Sequence, residues 1–213
     1  DGLIVDYIAA TDLLKDMKER VERRLGRELT SAVSGYPPGV PRAEVRATAN
    51  VVQAAGMDCP DLVDEPTAAN NILRLQNGAI VDVGGGTTGI AIVRNGEVIY
   101  TADEPTGGTH FSLVIAGSLG ISFEEAEELK VRSDQQQRLF PVVRPVMEKV
   151  AAIVKRHISS HPVEHITLVG GTSAFPGMAG VVQEWTGIPS SVPPRPALVT
   201  PLGMAMHRSE RDE

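Results

Sequence analysis

Between residues 79 and 93 two apolar, strand-like runs (79–83 and 90–93) are joined by Gly84-Gly85-Gly86-Thr87-Thr88-Gly89. Glycines at a strand end let backbone amides approach a phosphate with no side chain in the way, and the exposed N–H groups form an anion-binding concavity. A P-loop needs Lys-Ser or Lys-Thr after its glycines and then a helix, whereas Gly86 is followed by Thr87-Thr88 and a strand. A Rossmann turn needs G-x-G-x-x-G opening a helix, a spacing not found here. What remains is a β-hairpin with a triple glycine at its tip and Asp82 two places before it. A carboxylate there can hold a hydrated Mg²⁺ against phosphates. The same residues also read as a tight hairpin whose glycines supply only positive φ angles.

The rest of the chain reads as alternating strands and helices. The alternation of Leu3, Val5 and Tyr7 predicts an opening strand, and the spacing of Leu13, Leu14, Met17, Val21 and Leu25 predicts an amphipathic helix over 11–25. A strand at 29–33, a Pro/Gly loop at 35–41, a helix over 42–55, a strand at 61–63 and a helix over 67–75 follow, an α/β order that implies a parallel sheet. Asn95-Gly96 predicts a tight hairpin into a strand at 98–101. Helices are expected at 109–119, 123–132 (opened by a Ser122/Glu125 capping box), 139–160, 177–185 and 200–208, with a strand at 166–169 and a proline-rich link at 189–196. One shape recurs: an apolar strand ending in a Gly-Gly-Thr turn, at 80–87 and again at 166–172, which suggests two sites on one ligand.

Composition excludes several functions. With 27 acidic and 20 basic residues the formal charge is −7, and no basic run is long enough to track a nucleic acid. The single cysteine, Cys59, excludes an internal disulfide and a cysteine-based metal site. No stretch reaches the length of a membrane span, so the expectation is a soluble, cytoplasmic protein. His157, His161 and His165 stand four apart, but Pro162 breaks the helix between them, so a metal site is not expected. His110 and His207 show no partner pattern. Trp185, Phe111, Phe123 and Phe140 are expected in apolar packing.

Residues 80–89, IVDVGGGTTG, resemble the second phosphate motif of the actin-like ATPase superfamily, which includes DnaK-type chaperones, MreB and FtsA. Val63-Asp64-Glu65-Pro66-Thr67-Ala68-Ala69 resembles its first connecting segment, residues 166–176 its adenosine motif, and Thr200-Pro201-Leu202-Gly203-Met204-Ala205 its second connecting segment. Residues 1–6, the 34–39 loop, 84–91 and Glu125, Glu127 and Lys130 look like the ethanolamine-utilisation members of that superfamily. The resemblance implies a ribonuclease-H-like, two-lobed α/β fold divided at 1–78, 79–190 and 191–213, and ATP with Mg²⁺ as cofactors. It also implies a chaperone-like service to protein partners of ethanolamine utilisation, with weak ATP hydrolysis, at a bacterial microcompartment; a non-hydrolysing scaffold or a MreB/FtsA-like filament are the alternatives.

Carried over residue by residue, the resemblance puts Asp82 at the magnesium-bound water, and Glu65 beside the attacking water as orienting group or base. Gly84, Gly85, Gly86, Thr87 and Thr88 would hold the β/γ-phosphates, with Gly107 and Gly108 facing them from another loop. Glu127 and Lys130 would clasp adenosine, and Gly170, Gly171 and Thr172 would pack under adenine. By spacing alone, Glu127 and Lys130 are also an ordinary helix-surface ion pair. The superfamily's first phosphate motif, Asp-x-Gly-Thr, is not in the sequence. The expectation is therefore a first lobe shortened at its N-terminus, weak nucleotide binding, and an open sheet edge through which copies can associate.

Overall fold

A computed structural model describes residues 4–207. The strand expected from Leu3, Val5 and Tyr7 is not formed over its described part: Leu3 lies outside the described residues and Tyr7 already belongs to helix α1 (Tyr7–Leu25). The reason is local. The Asp6 carboxylate accepts from the Ala9 N–H at 2.9 Å, satisfying a free donor of the first turn, and Gly26 closes the helix in the left-handed conformation. Leu14 packs with Val52, Ala55 and Met57, while Leu13, Met17, Val21 and Leu25 remain exposed.

β1 (Ser34–Tyr36) and β2 (Leu62–Asp64) form a small parallel sheet linked through α2 (Arg42–Ala54). β1 falls later than the 29–33 run expected for it. That run contributes only an isolated bridge, Ser31 with Asp58. α3 (Glu65–Leu73) follows β2 directly, capped by Asp64, whose carboxylate accepts from the Thr67 N–H at 3.0 Å.

The main sheet joins β3 (Asn77–Val83), β4 (Thr88–Arg94), β5 (Glu97–Glu104), β6 (Ile166–Val169) and β7 (Ser190–Ser191) in the order β5-β4-β3-β6-β7. It is mixed: β3, β4 and β5 run antiparallel, whereas β6 and β7 run parallel to β3. Two turns are the cause: residues 84–87 return β4 on β3, and Asn95-Gly96, both with positive φ (53° and 82°), return β5 on β4. β7 lies inside the segment expected as a proline-rich link.

Strand alternation assigns the two faces of this sheet. Val81, Val83, Ile90, Ile92 and Leu168 meet Phe111, Leu139, Val143, Met147 and Val150 from α4 (Gly108–Leu119) and α6 (Ser133–Ile158). On the other face Ile80, Ala91, Val93 and Val169 pack with Ala69 of α3 and Val199 of α8 (Val199–Ala205). The remaining helices are α5 (Phe123–Val131) and α7 (Met178–Thr186). Arg208, expected in the last helix, lies outside the described residues. α6 starts six positions before Leu139 and continues through Pro141 and Pro145, which stand one turn apart on its exposed side, where the carbonyls they leave unpaired meet water. Phe111 is fully buried, but Trp185 and Phe123 are exposed on the rims of their helices. Among the described residues no helix is long and apolar enough to cross a membrane.

Candidate functional site

The turn between β3 and β4 is built for close approach. The Gly84 N–H donates to the Thr87 carbonyl at 3.0 Å, closing the turn, while Gly85 and Gly86 are exposed at its tip. The N–H groups of Gly85, Gly86 and Thr87 donate to no other group among the described residues, so three neighbouring donors face outward, the pattern of an anion nest. The carbonyls of the same turn are occupied. Gly84 accepts from the Gly108 N–H at 2.9 Å and from the Thr172 hydroxyl at 2.8 Å, and Gly85 accepts from the Thr109 N–H at 2.7 Å.

Gly107, Gly108 and Gly170 therefore act as packing glycines. A Cβ on Gly107 would stand 2.7 Å from the Gly84 carbonyl oxygen, and one on Gly170, whose φ is +85°, would stand 2.3 Å from an Asp82 oxygen. Gly107 and Gly108 were expected to face the phosphates; instead they fasten the N-terminus of α4 to the loop that would bind them. Thr88 is also placed differently from its expected role: its hydroxyl is buried and donates to the Thr106 carbonyl at 2.6 Å, so it has no proton to offer a ligand.

Two cavities flank the loop and share Gly171. One, of about 350 Å³, is lined by Gly85, Phe111, Glu127, Lys130, Gln136, Gly171, Thr172 and Phe175. The other, of about 360 Å³, is lined by Glu65, Asp82, Gly84, Thr87, Gly89, Gly170, Gly171, Thr200 and Met204. A larger cavity of about 560 Å³ lies between the end of α3 and the β4–β5 turn, among Asn70, Arg74, Gln76 and Glu97. It has no glycine nest and none of the sheet-end carboxylates, so its volume is a poor guide to the chemistry.

In the first cavity, Glu127 and Lys130 pair at 2.7 Å. Lys130 also donates to the Gly108 carbonyl at 3.0 Å and to the Ser112 hydroxyl at 2.8 Å. These three bonds use all three ammonium protons, so Lys130 is a strut between α5 and α4 with no donor left for a nucleoside. Ser112, fully buried, accepts from Lys130 and passes its own proton to Glu127 at 2.6 Å. Burial pushes the Glu127 carboxyl up, but the Lys130 and Ser112 hydrogen bonds outweigh it and hold the group low. Glu127 thus stays ionised at the cavity edge, an acceptor for a ligand hydroxyl. Ser112 carries no motif signal; only its one-turn distance from Gly108 on α4 brings it there.

In the second cavity, Asp82 shares the face of β3 that carries Ile80 and looks towards α3 and α8. Its carboxylate accepts from the Thr200 hydroxyl at 2.8 Å, a contact that the sequence did not single out. Burial raises its pKa, Thr200 opposes the rise, and Asp103 adds to it. Glu65, first residue of α3, is pushed up to about 7, by burial first and then by Asp82, Asp103 and Asp64. Among the described residues no cationic side chain acts on either group. A half-buried carboxylate pair that meets only a neutral hydroxyl and its own repulsion fits an added cation. Among the described residues no three His, Cys, Asp or Glu side chains enclose a metal ion unaided, so the donor set suits a hydrated Mg²⁺ that takes its other oxygens from phosphate and water.

The fold agrees with comparison to known proteins. The family described as Type IV pilus assembly protein PilM matches residues 67–200, and the MreB/Mbl protein family matches residues 1–131. The ethanolamine utilization protein EutJ of Escherichia coli (strain K12) is 38% identical, over 100% of this chain and 75% of that protein. The chain belongs to the EutJ family. The crystal structure of EutJ from Carboxydothermus hydrogenoformans superposes with a TM-score of 0.92 at 46% identity, covering 96% of this chain and 76% of that one. MreB5 of Spiroplasma citri, solved bound to ADP, superposes with a TM-score of 0.79 at 21% identity, covering 96% and 76%, a likeness of fold alone. The EutJ family therefore has the actin-like ATPase fold, and the mixed sheet described above is the main sheet of that fold in this chain.

Proposed function

We propose that this chain binds ATP with Mg²⁺ across the two cavities and serves ethanolamine utilisation as a chaperone-type protein, aiding assembly of a microcompartment or its enzymes with slow ATP hydrolysis. The observation that carries the nucleotide reading is the set of free N–H groups on Gly85, Gly86 and Thr87 between a carboxylate cavity and a hydroxyl-accepting one. The β- and γ-phosphates would lie on those amides. Asp82 would hold the cation through water, which supplies charge neutralisation at the phosphates. Glu65, poised near neutrality, would orient the attacking water and take its proton. Glu127, fixed by Ser112 and Lys130, would accept from the ribose, and Gly171, Thr172 and Phe175 would border the base. Service to ethanolamine utilisation rests on the names of the family's members.

A second reading, an actin-like body used as a scaffold without turnover, draws support from the internal consumption of Lys130's protons. Isothermal calorimetry with Mg²⁺ and ATP, followed by phosphate release, separates the two. Nucleotide binding that falls at least tenfold in Asp82→Ala, with measurable release in the wild type, supports the ATPase. Binding without release supports the scaffold, and no heat of binding would sink the nucleotide reading.

A further inference from the structure

Asp103 carries no motif, yet the register of the sheet brings it to the cation side of the cleft. Asp82 on β3 is paired with Gly89 on β4, and Gly89 is paired with Asp103 on β5. Residues paired in this way point to the same face of a sheet, so Asp82 and Asp103 flank one missing side chain. The gap is a real one: a Cβ built on Gly89 would meet the Asp82 Cβ at 3.9 Å and an Asp103 carboxylate oxygen at 4.0 Å. Asp103 leans over Gly89 instead of away from it.

We propose that Asp103 is a second carboxylate of the magnesium site, reaching across Gly89 to an outer-sphere position beside Asp82. The proposal rests on the Mg²⁺-ATP reading above. Asp103 is exposed and makes no salt bridge among the described residues, whereas its neighbour Glu104, on the opposite face of β5, is taken up by Arg156 and His157. Two carboxylates facing one gap repel each other, and a hydrated divalent ion between them and the phosphate nest relieves that repulsion. Asp103 stands at the open rim, so it would act through ordered water, by charge and by orienting that water, and not by direct coordination.

The test is Mn²⁺ binding in the presence of ATP, read by electron paramagnetic resonance, which needs no turnover. Asp103→Asn should weaken Mn²⁺ by about 3- to 10-fold, the size of one partly screened charge near a divalent ion, and Asp82→Asn by more. Asp103→Asn combined with Gly89→Asp should recover most of the affinity, because the contacts at Gly89 are ordinary van der Waals distances that admit a side chain. Unchanged affinity in Asp103→Asn, with a clear loss in Asp82→Asn, would overturn this role alone. No rescue by Gly89→Asp, in a variant whose melting curve matches the wild type, would also overturn it. No effect of Asp82→Asn, or no Mn²⁺ binding by the wild type, would bring down the Mg²⁺-ATP reading and this proposal with it.

Discussion

Replacing Glu65 by Gln gives the sharpest test of the cleft's electrostatics, because the sign and size of the effect follow from its surroundings. The group is ordinarily near 4.5 and is pushed up to about 7, chiefly by burial and then by Asp82. An acid whose folded value lies above its unfolded value holds its proton more tightly when folded. Its contribution is present in full below pH 4.5 and is lost as pH rises through about 7. At about 1.36 kcal/mol for each pH unit, the gap between those values is roughly 3.4 kcal/mol. Water reaching this half-buried group screens it, leaving on the order of 2 kcal/mol. Urea denaturation of wild type and Glu65→Gln, repeated between pH 4.5 and 8, should show the wild type losing about 2 kcal/mol relative to the variant as pH rises. Taking the difference cancels the carboxylates that do not interact with Glu65. Two stability curves parallel to within about 0.5 kcal/mol would refute the burial and repulsion argument.

Other sites give independent checks. Gly203→Ala should cost about 3 kcal/mol and lower Tm by roughly 6–12 °C, because a Cβ there stands 1.7 Å from the Ala68 carbonyl oxygen where α8 crosses α3; Gly180→Ala, with nothing within 4 Å, should gain about 0.5–1 kcal/mol. Thermal melts of the pair decide this. Lys130→Met should destabilise the chain by about 1–3 kcal/mol, since Glu127 and Ser112 lose their donor. If Lys130 is a strut, Ser112→Ala should lower nucleotide affinity in calorimetry by a similar factor; a far larger loss in Lys130→Met alone would show direct contact with ligand.

Much of the fold was legible because its signals are local. The strand-glycine-strand pattern at 79–93, the Asn95-Gly96 turn and the Ser122/Glu125 capping box each settle their own geometry within a few residues. The first turn of the opening helix was missed because period-two alternation over Leu3, Val5 and Tyr7 competes with a single capping carboxylate, Asp6, which starts the helix four residues before Thr11. The helix expected over 139–160 runs through Pro141 and Pro145 as read, and only its start was missed, because the polar stretch 133–138 carries no apolar periodicity. At the site, Asp82 and the glycine turn were singled out by type and spacing, and Glu65 by resemblance alone. Ser112, Thr200 and Asp103 were not, since each arrives through register or helix crossing, which one strand of sequence does not encode locally. The same holds for the reassigned residues. Thr88 and Lys130 have the right chemistry for a ligand, and only the three-dimensional contacts reveal that their protons are already committed.

The long helix α6 touches both sides of the molecule's glycine turn. Near its start, the Gln136 side chain donates to the Lys130 carbonyl at 3.2 Å, beside the hydroxyl-accepting cavity. Near its end, His157 meets Glu104 at 2.8 Å, directly behind Asp103. Its 26 residues span about 39 Å at 1.5 Å each. The helix therefore couples the hydroxyl-accepting cavity to the rim of β5 as one rigid body. A substitution that shortens or bends it, anywhere along its solvent side, changes their spacing without touching a single residue of the site.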